Sequence, residues 1–149
     1  EQGIALQLAV DEQDLAPELA EHGFRVDAVD ISEEGLSRVR HPGVRRICAD
    51  LDAFDIPAAR YDLIVDVLYL NRRLFPQMAE ALRPGGLLVF ESLLLEPGQD
   101  AGGHCRDYFL RPNELLHAFL ALRVLYYREG PEREADDGRQ LASLVARRI

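Results

Sequence analysis

Apolar residues cluster in seven short stretches, and between most of them they recur every three or four positions instead. IALQLAV at 4–10 predicts a buried strand. DLAPELAEHG at 14–23 puts Leu15, Ala16, Leu19 and Ala20 on one helical face. Pro17 is tolerated in a first turn and Gly23 is a helix stop. RVDAVD at 25–30 predicts a second strand, and SEEGLSRVR a short helix capped by Ser32. VRRICAD at 44–50 and YDLIVDVLYL, centred on Leu63–Val67, predict strands three and four. NRRLFPQMAEALRPGG predicts a helix with Leu74, Met78 and Leu82 inward, closed by Pro84-Gly85-Gly86. GLLVFESLLLE follows as strand five, apolar enough to be central. After a Gly-rich loop, RPNELLHAFLAL predicts a helix. RVLYYREG and QLASLVARR, joined by the polar PEREADDGR, predict an antiparallel pair.

Strands alternating with helices predict an α/β fold with a parallel sheet covered on both faces. Composition narrows this little. The chain has 149 residues, enough for one domain with a real core, and a net charge of −9. That acidity argues against nucleic acid as a partner. Every basic residue is Arg. No apolar run reaches the ~18 residues a membrane span needs, and no signal peptide is visible, so the expected compartment is the cytoplasm. Cys48, in an apolar strand, reads as core, and Cys105 as a loop thiol. Two cysteines make no disulfide framework, and no histidine stands at metal-type spacing from either. No metal site is expected.

Several segments, in order, resemble the class I S-adenosylmethionine-dependent methyltransferases, within them the small bacterial tellurite-resistance-type branch. HGFRVDAVDIS is similar to the second strand and its acidic end. ICADLDAFDIPAARYDLIVDVLYLNRRLFPQMAEALRPGGLLVFES is similar to strands three to five, with LRPGG as a superfamily signature. CRDYFLRPNELLHAF and LASLVARR are similar to later segments of that branch. The resemblance implies a Rossmann-like, doubly wound seven-stranded sheet of order 3-2-1-4-5-7-6, with strand 7 antiparallel, as one domain over 1–149. It also implies leader helices before strand one, and these are expected to be missing here.

The implied cofactor is S-adenosylmethionine, held at the carboxyl ends of the strands. By the resemblance Asp30 takes the ribose hydroxyls and Ile31 packs on the adenine face. Asp50 and Leu51 read the adenine edge, and Asp66 and Val67, with Leu68, line the end of strand four. Each acid has a plainer reading as a solvated strand end or a helix cap. Tyr69 and Asn71 face substrate or simply begin the next helix. No catalytic residue is assigned, and His104 reads first as an exposed loop histidine.

The family's strand-one turn carries an acid and three glycines. Aligned on Leu6 and Gly23, the acid falls on Gln7 and the glycines on Ala9, Asp11 and Gln13. Ala9 and Asp11 therefore occupy cofactor-binding positions without the residues that usually fill them. Glycines there permit positive φ and close backbone approach. Asp11, Glu12 and Asp14 would repel an anionic ligand group. Two functions are expected from this. One is a methyltransferase-like protein acting on a small molecule. The other is a catalytically lost domain that serves binding, assembly or regulation, as a homo-oligomer or with a protein partner. A nicotinamide-binding domain fits worse, since it needs the glycine turn even more.

Overall fold

A computed structural model describes residues 2–10, 14–132 and 138–149. Its seven strands are β1 (Ile4–Leu8), β2 (Arg25–Asp30), β3 (Val44–Cys48), β4 (Tyr61–Val67), β5 (Leu82–Leu94), β6 (Arg123–Pro131) and β7 (Gln140–Arg147). They form one sheet of order β3-β2-β1-β4-β5-β7-β6. The first five run parallel, and β7 lies antiparallel to both β5 and β6, as the sequence predicts. Strands that enter the centre parallel need crossovers, and helices supply most of them. These are α1 (Ala16–Glu21), α2 (Glu33–Ser37), α3 (Phe75–Ala81) and α4 (Glu114–Ala118).

Local chemistry sets the helix ends. Pro17 and Pro76 sit in the first turns of α1 and α3, where a missing N–H costs nothing. The Ser32 hydroxyl accepts from the Gly35 amide at 2.9 Å, the predicted cap of α2. Gly23 ends α1 at a φ of +98°.

The two faces of the sheet have separate cores. Leu6, Leu8, Ile64, Leu88 and Phe90 point to one side, where α3 and α4 pack. There Phe75, Phe90 and Phe119 meet with ring centroids 5.4–6.1 Å apart. Ala5, Val26 and Ala28 point to the other side, under Ala16 of α1 and Leu36 of α2.

At the amino ends of the strands, Asp27 ties three of them together. It accepts from Arg45 at 3.0 and 3.1 Å, from Arg60 at 3.4 Å and from the Tyr61 hydroxyl at 2.7 Å.

Several expected boundaries shift. The helix predicted to include Leu82 and close at Pro84-Gly85-Gly86 stops at Ala81, and Leu82 already pairs with Tyr61 as the start of β5. Pro84 is the cause, because it removes a helical N–H and drives Arg83 towards extended backbone. The register then jumps to Leu63 opposite Leu87. Cys48 is exposed rather than core, because β3 is an edge strand. β1 and β4 end earlier than their apolar runs, at Leu8 and Val67. In each, the residue just beyond turns left-handed, Ala9 at φ +62° and Leu68 at φ +62°.

Candidate functional site

A cleft of about 610 Å³ lies over the carboxyl ends of β1, β2, β3 and β4. This is where an open α/β sheet binds ligands. Ala9, Asp30, Ile31, Asp50 and Leu51 all line it, so five of the eight predicted site residues converge. Asp11 lies outside the described residues, as do Glu12 and Gln13. Asp66 and Val67 are not on the cleft wall, and Leu68, Tyr69 and Asn71 are.

Asp30 is only 5% exposed, and it is a structural clamp as well as a wall residue. Its carboxylate accepts from the Val10 amide at 2.8 Å and from the Ser32 amide at 3.0 Å. It thus fixes the chain leaving β1 against the chain leaving β2. Ile31, next to it, is 64% exposed, a large apolar side chain left at a cleft edge. Asp50 accepts from the Asp52 amide at 2.9 Å, and its carbonyl accepts from Ala53 and Phe54. That tight turn presents the start of the β3–β4 connection to the cleft. The Leu51 side chain belongs to the core rather than to the rim. Among the described residues its amide donates to no protein acceptor.

Gln7, at the position of the family's acid, accepts from the Leu15 amide at 3.2 Å and so ties β1 to the start of α1. Ala9 donates its amide to the Val29 carbonyl at 2.8 Å while holding its left-handed φ. Its backbone adopts the conformation expected of a glycine, with a Cβ in place. Leu68 does the same at the neighbouring strand end. Each such residue carries roughly 1–2 kcal/mol of strain. Two on adjoining strands of one cleft fit the concentration of strain at binding sites.

Asp66 points into the apolar core from β4, level with Leu8 and Phe90, and is fully buried. Neither carboxylate oxygen has a hydrogen-bond partner among the described residues. Burial pushes its carboxyl well above the usual range, opposed only weakly by the Tyr69 amide nearby. It therefore holds a proton more firmly than an exposed aspartate does.

Three consecutive residues after β4 brace the cleft, and sequence reasoning placed no role on two of them. Asn71 caps the 3-10 turn Arg72–Leu74 through the Arg73 amide, and its side-chain amide reaches the Tyr69 hydroxyl and Asp52, both at 3.0 Å. Arg73 donates to the carbonyls of Leu51 and Phe54. Arg72 reaches the other way. It pairs with Glu114 at 2.5 and 3.0 Å and donates to the carbonyls of Asp107 and Phe109, both at 2.7 Å. This brings Asp107 and Tyr108 onto the cleft wall. The adjacent arginines of NRRLF were the available signal, because two cations at a strand exit need acceptors on both sides. His104 does not line the cleft. Among the described residues no cluster of His, Cys, Asp and Glu could hold a metal, and no helix is long and apolar enough to cross a membrane.

The family described as "Methyltransferase domain" matches residues 6–86, which run from β1 into β5. No curated protein matches the sequence. Solved structures match in fold. A putative S-adenosylmethionine-dependent methyltransferase from Listeria monocytogenes is 15% identical with a TM-score of 0.80, covering 100% of this chain and 92% of its own. TehB from Haemophilus influenzae is 19% identical with a TM-score of 0.80. All of this chain is covered, and it spans 58% of TehB. An S-adenosylmethionine-dependent methyltransferase from Mesorhizobium loti is 22% identical with a TM-score of 0.78, covering 98% of this chain and 91% of its own.

Proposed function

This chain belongs to the methyltransferase domain family, and on that premise we propose that its cleft takes the nucleoside of S-adenosylmethionine for transfer to a small-molecule acceptor. The observation that carries this reading is the convergence of Asp30, Ile31, Asp50 and Leu51 on one cleft at the strand ends. Their chemistry suits a nucleoside. A carboxylate accepts the O–H bonds of a diol, an exposed isoleucine offers a face to a flat ring, and an unengaged amide donates to a ring nitrogen. When bound, the cofactor supplies an electrophilic methyl group. The chain's part is to orient the nucleoside and to exclude water, since positioning supplies much of the rate in such reactions. The left-handed Ala9 carries backbone to the cleft wall much as a glycine would.

A second reading, a domain that has lost catalysis and acts in binding, assembly or regulation, is favoured by one observation. The sequence has no glycine from Ile4 to His22, where the family's turn has three. Calorimetric titration with S-adenosylmethionine and with its demethylated product separates the two. Saturable binding at micromolar ligand, lost in Asp30→Ala, is the result expected of the first reading. No heat at millimolar ligand would establish the second.

A further inference from the structure

Beyond the carboxyl end of β5 lies another cavity, of about 470 Å³. Its volume is within the range of small-molecule sites. One wall is the chain leaving β5, with Leu95 and Pro97. The opposite wall is the segment 106–112, with Phe109 and Pro112. The two walls are fixed to each other by backbone. The Leu110 amide donates to the Leu93 carbonyl at 2.8 Å, and the Leu95 amide to the Leu110 carbonyl at 3.0 Å. The cavity therefore has a built frame rather than two loops in chance contact.

Its charge is out of keeping with a chain of net charge −9. Arg106 and Arg111 both line it. Arg106 spends two donors on the carbonyls of Gln99 and Glu96, at 2.7 and 3.3 Å, and has no carboxylate partner among the described residues. Arg111 makes no side-chain hydrogen bond or ion pair among them. The acid near it, Glu114, is already held through both oxygens by Arg72. Asp107 also lines the cavity, which leaves an excess of one positive charge over an otherwise apolar lining. Asp107 lines the nucleoside cleft as well, so the two cavities adjoin across the 3-10 turn Arg106–Tyr108.

We infer that this cavity is a binding site for a small organic carboxylate, with Arg111 taking the anionic group and Leu95, Pro97 and Phe109 taking an apolar body of about six carbons. Guanidinium matches carboxylate in shape and donor spacing, and the apolar walls reward a hydrocarbon tail. The site deepens the methyl-transfer reading by naming the class of acceptor, and in that sense it rests on it. Binding of the carboxylate itself needs no cofactor.

The test is an NMR titration of the whole chain with hexanoate and with hexanamide, followed by calorimetry of Arg111→Gln and Arg111→Lys. Hexanoate is expected to saturate, with shifts centred on Leu95, Phe109, Leu110 and Arg111, and hexanamide to bind at least tenfold more weakly. Arg111→Gln should weaken hexanoate about tenfold and leave hexanamide unchanged, while Arg111→Lys keeps most of the preference. Equal binding of acid and amide, shifts elsewhere, or an indifferent Arg111→Gln would each overturn the assignment. Cofactor binding is measured separately on the same sample. Hexanoate binding without cofactor binding keeps this site and removes the methyl-transfer reading, and the reverse result removes this site alone.

Discussion

Ala9 shows how a single side chain can depart from a family pattern while its backbone keeps to it. An alanine at φ +62° pays for a Cβ that a glycine would not carry. Ala9→Gly should relieve that strain, offset in part by the added freedom of glycine in the unfolded chain. A net gain of about 0.5–1 kcal/mol is expected, read as a higher urea midpoint at unchanged slope. The same residue explains what the sequence could show of the site. That Asp30, Ile31 and Asp50 meet at one cleft is legible because strand ends and turns are local, and the strands themselves place them. Leu51 is half legible: it lines the cleft as the sequence predicts, but its side chain turns inward to the core, which only packing decides. Asp66 reads in the sequence as a wall residue because the apolar run Leu63–Val65 before it hides the alternation along β4. Its neighbours Leu8 and Phe90 reveal the face it takes.

Among elements, the short link Asn71–Leu74 does most to hold the cleft in shape. Arg73 grips the β3–β4 connection, and Arg72 grips the segment before α4. The Arg72–Glu114 pair is partly exposed, so its worth is discounted from that of a buried pair. Arg72→Met keeps the apolar stem and removes the donors. It should cost about 1–2 kcal/mol. Amides of Phe109, Leu110 and Glu114 should exchange faster with solvent, while those of β1 and β2 stay protected; hydrogen exchange by mass spectrometry or NMR reads both. These contacts span 35 to 42 residues of sequence, which is why no local pattern announces them. The end of α3 was misplaced for a different reason. The apolar spacing of Met78 and Leu82 continues smoothly through the boundary, and only Pro84 marks the change of backbone.

For the molecule as a whole, two buried aspartates pull stability in opposite directions with pH. Burial pushes the Asp27 carboxyl up, but the Tyr61 hydroxyl and the Arg45 and Arg60 guanidiniums outweigh it, and its pKa falls below the ordinary aspartate value of 3.8. The stability it contributes is complete above that value and is lost as pH falls through the folded pKa. Asp66 is raised well above 3.8, so the folded state keeps a proton that the unfolded chain gives up. That stability is present below 3.8 and drains away as pH rises towards the folded pKa. Urea unfolding from pH 3 to pH 8 should therefore show Asp66→Asn gaining on the parent progressively above pH 4. Asp27→Asn should be less stable throughout, by roughly 3 kcal/mol at neutral pH, with a flatter acid limb. The overall architecture was legible because alternation of strand and helix is a property of the whole chain and survives errors at single boundaries. The sheet order has a consequence for synthesis. β5 needs β7 on its outer side, and Ser143 meets Glu91 across 52 residues of sequence. Arg148 then stitches the turn at Gly85 and Gly86 through backbone bonds of 2.6 and 2.9 Å. As the chain leaves the ribosome, β5 emerges many seconds of elongation at the slow end, or a few at the fast end, before its second neighbour exists. During that interval a long apolar strand shows an unpaired edge to the cell, so the nascent protein is most in need of a chaperone until β7 has emerged.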